Sequence, residues 1–182
     1  GPDIEGDILV TLAEVLHGAL GTISVKRTDP NTGRVETQSF RVKIPAGVHE
    51  GQLIRVSGRG EIGQGGGKAG DLYLRIRQAK HPDFRVRGAD LFHDLELTPW
   101  EAVLGADIRM PTLEGSVALK IRPGTTGGQQ LRLRGKGLPG PHGQRGDLFG
   151  VVSIQVPTEI SADEKALWEK LACQSHFNPR KP

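Results

Sequence analysis

The chain has 182 residues, of which 36% are hydrophobic and 25% charged, with a formal net charge of +3. That balance suits a folded globular protein, and length alone allows two domains of about 80 residues. It contains no run of about 18 apolar residues that would cross a membrane, and its lone Cys173 excludes an intramolecular disulfide or a cysteine-rich zinc site.

Taken in order, Gly1-Pro2 reads as a cleavage scar, and the abrupt start suggests a piece of a longer protein. Asp7–Leu12 alternates loosely and predicts a strand with Ile8, Val10 and Leu12 on one face. Ala13–His17 is a helical turn ended by Gly18, and Thr22–Arg27 is a strand that places Ile23 and Val25 together. Asp29-Pro-Asn-Thr-Gly33 is a dense turn signal, so Val35–Ile44 is the return strand of a hairpin. Pro45-Ala-Gly47 ends that strand, since proline cannot donate to a ladder.

Leu53–Val56 is a short strand, followed by the glycine-rich and flexible Gly58–Gly70. Leu72–Arg77 should turn Leu72, Leu74 and Ile76 inward and Tyr73, Arg75 and Arg77 outward. Gln78–Gly88, polar and broken by Pro82, reads as the domain junction. Further on, Leu131–Leu133 and Leu148–Val156 read as strands. At the far end Ser161-Ala-Asp-Glu164 has the form of a capping box opening one helix, with Leu167, Trp168, Leu171 and Ala172 on its apolar face.

Much of this occurs twice. Val42-Lys-Ile-Pro-Ala-Gly47 is answered by Leu119-Lys-Ile-Arg-Pro-Gly124, and Gly51–Gly60 by Gly128–Gly137. Gly70-Asp-Leu72 returns as Gly146-Asp-Leu148, and Glu14–Ala19 matches Glu101–Ala106. Order and spacing survive, so the chain reads as two copies of one unit. The second copy is expected to lack the hairpin, because Ala106 to Ile121 is ten residues shorter than Ala19 to Ile44. The expected fold is all-β: two tandem β-sandwich domains over residues 3–80 and 81–158, then a short C-terminal helix and tail over 159–182.

Catalytic chemistry finds little support. Gly58-Arg-Gly-Glu-Ile-Gly63 spells a dinucleotide fingerprint, but Gln64-Gly-Gly-Gly67 cannot open the helix that the fingerprint needs. His81-Pro82-Asp83 matches the tripeptide of J-domains, yet no amphipathic helix flanks it, so it reads as a linker turn. The six histidines show no metal-ligand spacing, and Cys173 has no evident base beside it except His176. No enzyme, cofactor or metal site is expected.

Several of these segments together resemble the paired C-terminal domains of Hsp40 (DnaJ-type) co-chaperones. The carrying residues are Val42–Val48, Gly58-Arg-Gly60, Gly70-Asp-Leu72, His81–Phe84, Leu97–Ala106, Pro111-Thr-Leu113, Leu133–Leu138 and Arg145–Leu148. The tail, with Leu167–Leu171 and Phe177–Lys181, is especially similar to the bacterial curved-DNA-binding J-protein subgroup. Zinc-binding Cys-x-x-Cys repeats are missing, which matches the class without a zinc finger. The J-domain is also missing, so this piece alone is not expected to stimulate Hsp70 hydrolysis.

The resemblance implies a module that binds unfolded or misfolded client polypeptide for delivery to a DnaK-type Hsp70. By that likeness the client lies in an apolar groove of the first domain, on Ile8, Val10, Ile23 and Val25 of neighbouring strands, with Phe84 at the hinge. The same likeness places the acidic tail of Hsp70 on Lys26, Arg41 and Lys43, flanking the groove. It also implies a homodimer through Leu167, Trp168 and Leu171, a cytoplasmic or nucleoid-associated location, and no membrane partner. A rival reading is salt-sensitive, nonspecific DNA binding. It rests on the sequence pI of about 9.2 and on basic clusters at Arg75, Arg77, Arg85 and Arg87 and at Arg132, Arg134 and Lys136. A metabolic enzyme on the same scaffold would lack an assembled acid–base set.

Overall fold

The computed structural model describes residues 1–180. Its elements are β1 (Ile4–Val10), α1 (Leu12–His17), β2 (Ala19–Thr28), β3 (Val35–Ile44), β4 (Leu53–Val56), β5 (Leu72–Gln78), β6 (Arg85–Arg87) and β7 (Asp90–Leu97). They continue with α2 (Pro99–Leu104), β8 (Ala106–Thr112), β9 (Gly115–Ile121), β10 (Gln130–Leu133), β11 (Leu148–Ile154) and α3 (Ala162–Gln174). The fold is all-β with a short C-terminal helix.

The two copies share one topology. In the first, β1-β5-β4 form a sheet and β2-β3 a separate hairpin; in the second, β10-β11-β7-β6 form the sheet and β8-β9 the hairpin. β1 runs parallel to β5 with Ile4 opposite Leu72, and β7 runs parallel to β11 with Leu91 opposite Leu148. Alternating strands alone do not announce a parallel pair. Such a pair needs a long crossover, and the hairpin between its two strands supplies it. Among the described residues, no named strand of one copy pairs with a strand of the other.

The second copy does have the hairpin, contrary to expectation. β8 and β9 pair from Ala106↔Ile121 to Thr112↔Gly115, leaving a loop of only Leu113 and Glu114. A two-residue loop suffices to reverse a chain. Its sequence carries no Asn-Gly signal, but Gly115 adopts a φ of +108°, and Thr112 Oγ1 accepts from the Glu114 N–H at 3.1 Å. Arg145 Nη1 donates to Glu114 at 2.7 Å and ties this tip to the loop before β11.

Two short helices carry full capping boxes: Thr11 with Glu14 opens α1, and Thr98 with Glu101 opens α2. The sequence reading had α1 as a turn and did not resolve α2 as a helix. At α3 only half of the expected box forms. Ser161 Oγ accepts from the Glu164 N–H at 3.1 Å, but the Glu164 carboxylate instead accepts from Trp168 Nε1 at 2.9 Å.

Leu72, Leu74 and Ile76 are buried as expected, each worth about 1.5–3 kcal/mol of transfer energy. Buried residues of both copies, from Val10 and Ile76 to Leu95 and Leu148, form one continuous cluster. Val42, Leu72 and Leu74 form a second, smaller one. The copies also approach through backbone. A Cβ at Gly47 (φ +84°) would lie 2.6 Å from the Gly140 carbonyl oxygen, whereas its counterpart Gly124 (φ +81°) faces open space. Glycine is required at both for dihedral reasons, and at Gly47 also for space.

Candidate functional site

Ile4, Ile8, Ile23, Val25, Phe40, Ile54 and Val56 are only partly buried, and all pack around Val42, Leu72 and Leu74. They come from two layers, the β1-β5-β4 sheet and the β2-β3 hairpin, which do not close over one another at this end. The result is an apolar mouth.

Both of its rims are unpaired strand edges, since β1 ends its sheet and β2 is one side of a two-stranded hairpin. The Ile4 N–H donates to Asp71 O at 2.9 Å, and Val10 O accepts from the Ala79 N–H at 2.8 Å. Parallel alternation then turns the amides of Glu5, Asp7 and Leu9 toward the open edge. The rims come close at Gly21, where a Cβ would sit 3.5 Å from Ile8 Cδ1.

The two copies fill the space between their layers differently at one position. Ile23 stands four residues after Ala19, and Met110 four after Ala106, at equivalent registers. Met110 is fully buried (0% exposed), and a Cβ at Gly150 would lie 2.9 Å from its Sδ. The position equivalent to Gly150 in the first copy is Leu74, by the pairings Leu72 with Ile4 and Leu148 with Leu91. There the sheet supplies the bulk itself, and Ile23 remains partly exposed.

The expected groove residues are therefore divided. Ile8, Ile23 and Val25 meet at the mouth, although Ile8 and Ile23 face each other from different layers and are not on paired strands. Val10 does not belong: it is 0% exposed, sealed in the larger cluster with Leu12 and Val15. Phe84 is also misplaced, being 6% exposed within that larger cluster. Its ring packs on His81 at 4.8 Å between centroids. Together they border a polar cleft of about 430 Å³ that is shared with Arg85, His93, Glu96 and Arg109.

Lys26, Arg41 and Lys43 do not flank the mouth. They alternate with Val25, Val42 and Ile44 and stand exposed on the opposite face of the hairpin. Ile4, Phe40, Ile54 and Val56 also belong to the mouth and are not among the residues that the sequence points to. Phe40 was recoverable from hairpin register, because it lies opposite Ile23.

The start of β5 is clamped by one carboxylate. Asp71 Oδ1 accepts from the Gly58 N–H at 2.9 Å and Oδ2 from Arg55 Nε at 2.8 Å, while the Asp71 N–H donates to Asp3 Oδ1 at 2.7 Å. The second copy repeats it, with Asp147 held by the Gly135 N–H and Arg132 Nε, both at 2.8 Å. The Gly58 N–H bond first, and then Arg55, hold the Asp71 carboxyl below its ordinary range. Gly135 and Arg132 act likewise on Asp147. This accounts for the repeated Gly-Asp-Leu: an acceptor of backbone N–H and guanidinium must precede the first buried leucine of the strand.

Four of the cations expected to meet DNA are paired with carboxylates instead: Arg77 with Asp7 and Glu50, Arg85 with Asp94, Arg132 with Asp147, and Lys136 with Glu114. At the other end of the chain, α3 lies against α2. Trp168 and Trp100 approach to 6.2 Å between centroids. They share an apolar groove of about 480 Å³ with Val103, Leu104, Leu167 and Leu171.

The sequence pattern of the DnaJ C terminal domain matches residues 4–157. A curved DNA-binding protein of Pseudomonas syringae pv. tomato is 45% identical over 99% of this chain and 59% of its own length. One from Coxiella burnetii is 44% identical over 100% of this chain and 58% of its own. The chain thus spans under two thirds of the length of these relatives.

A folded pKa depressed below the unfolded value means that the clamp stabilises above about pH 3.9, and that this contribution is lost as pH falls through the depressed value. Asp71→Asn should therefore lower the melting temperature at pH 7. The gap to the parent should shrink as pH falls below about 4, through the range where the depressed carboxyl takes up its proton. A gap that is constant over that range in thermal melts would show that the carboxylate charge is irrelevant to the clamp.

Proposed function

The chain belongs to the DnaJ C-terminal domain family, and from that footing we propose that its first copy binds unfolded or misfolded client polypeptide for delivery to an Hsp70. The observation that carries this reading is the half-open apolar mouth between two unpaired strand edges. An extended segment adds backbone hydrogen bonds to such an edge while alternate side chains enter the apolar gap. Each buried Leu or Phe contributes about 1.5–3 kcal/mol before ordering costs. Binding of this kind is weak, tolerant of sequence and reversible, as a holding function requires.

On this reading residues 3–80 are the client-binding domain, 81–158 space it from the far end, and 159–182 serve dimerisation. Leu167 is 68% exposed and Leu171 55%, beside Val103 at 65% and Leu104 at 73%. An isolated helix of about this length is marginal in water. Among the apolar residues of α3 only Trp168 is half-buried against its own copy, so the remaining apolar strip suits a second copy of the chain. Pairing would join two weak grooves through effective concentration.

A second reading, DNA binding, comes from the relatives' names and is favoured by one surface. The outer face of the β2-β3 hairpin carries Lys26, Arg41 and Lys43 among Thr22, Ser24, Thr28, Thr37 and Ser39, with no carboxylate on the face. Cations and hydroxyls of this kind hold phosphate oxygens, and a two-stranded ribbon fits the major groove. The acidic tail of an Hsp70 would compete for the same three cations.

Titration with a Leu/Phe-rich unfolded peptide should shift backbone amides of Ile8, Ile23 and Val25, and Ile23→Ser should weaken binding about tenfold. Shifts centred on the second copy would move the client site elsewhere. Replacing both Leu167 and Leu171 by Asp should convert a dimer to monomer in sedimentation; an unchanged mass would dismiss the α3 interface. The triple replacement of Lys26, Arg41 and Lys43 by Gln should reduce the salt slope of duplex binding by about 2–3. An unchanged slope would remove this face from DNA contact.

A further inference from the structure

The inner face of β2 reads, in order toward the hairpin tip, Ile23, Val25, Arg27. Arg27 is only 7% exposed, and its Nε has no hydrogen-bond partner. Its Nη1 donates to Gln38 Oε1 at 2.8 Å. Arg59 Nη1 reaches the same oxygen at 3.4 Å, so two guanidinium groups share one neutral acceptor. Neither is in an ion pair among the described residues. Glu36, opposite Arg27 in the ladder, is exposed and forms no ion pair with it, and Glu61 accepts from the Thr28 N–H at 3.2 Å.

Two adjacent cations repel, and burial of an unpaired charge such as Arg27 is unfavourable unless a counter-charge joins it. The pair also adjoins the mouth. The Arg59 guanidinium lies 4.7 Å from the centre of the Phe40 ring, Phe40 lies opposite Ile23, and Gln38 lies opposite Val25. The apolar mouth therefore ends in uncompensated positive charge.

We propose that Arg27 and Arg59 form a carboxylate-binding end to the client groove, so that it selects extended segments with an Asp or Glu beyond their apolar residues. The proposal rests on the groove reading above. A strand repeats its facing every two residues, about 6.8 Å. Apolar side chains opposite Ile23 and Val25 thus bring the next same-side residue of the peptide opposite Arg27. Arg59, the more accessible of the two, meets that carboxylate first, and Arg27 reinforces it from behind. An Arg–carboxylate pair in a partly desolvated site is a strong, oriented contact.

The test uses two capped peptides of about ten residues, each with two Leu at alternate positions, followed at the next alternate position by Glu in one and Gln in the other. Affinities would come from fluorescence anisotropy and positions from amide shifts, with the whole chain. The Glu peptide should bind about tenfold or more tightly, and Arg59→Gln and Arg27→Met should each abolish most of that preference without reducing affinity for the Gln peptide. Arg27→Met should also leave the melting temperature unchanged or higher, because it removes an unpaired buried charge. Equal binding of both peptides at Ile23 and Val25 would overturn the carboxylate end and leave the groove standing. Failure of either peptide to shift those amides would overturn both. A Glu preference that persists in both arginine variants would also overturn the assignment.

Discussion

Each copy is closed by a parallel pair, β1 with β5 in the first and β7 with β11 in the second. This constraint governs what the intervening chain can do. With β1 beside β5 and β4 on the far side, the β2-β3 hairpin pairs with neither edge of the sheet and packs across one face as a second layer. Two layers of unequal width leave edges, and edges with unsatisfied amides are what an extended peptide can use. The Asp71 and Asp147 clamps sit where this closure begins. They join the strand start, the preceding glycine turn and the shorter strand through one carboxylate each.

The copies diverge by exchanging bulk between layers. In the second, Met110 crosses to the sheet over Gly150 and the gap is filled. In the first, Leu74 occupies that volume, so Ile23 and its neighbours remain at a partly open rim. The longer first hairpin then extends its inner face past the apolar core to Arg27 and Gln38. One topology thus places its bulk differently in the two units, and a large-for-small exchange across the interlayer gap buries Met110 while Ile23 stays partly exposed.

The two faces of the long hairpin have different chemistry because a strand sends alternate residues to opposite sides. The inner row is apolar and ends in shielded cations, while the outer row is hydroxyl and basic. Functions assigned to one row do not transfer to the other. Ile23 and Val25 cannot share a ligand contact surface with Lys26 and Arg41 merely because they are adjacent in sequence.

The duplication, the all-β class, the strands at Val35–Ile44 and Leu53–Val56 and the C-terminal helix were legible in the sequence. Each is written in local pattern: alternation, turn residues, a Ser three residues before Glu, and motifs recurring in order. Tertiary structure alone decided depth and partnership. Val10 and Ile8 look alike as alternating apolar residues, yet only Val10 is sealed, because α1 and the larger cluster cover that end of β1. The second hairpin escaped notice because two residues with no turn signature were enough to make it. The missing counter-ions of Arg27 and Arg59 could not be read either, since ion pairing depends on which strands the fold brings together, and sequence order does not specify that distance.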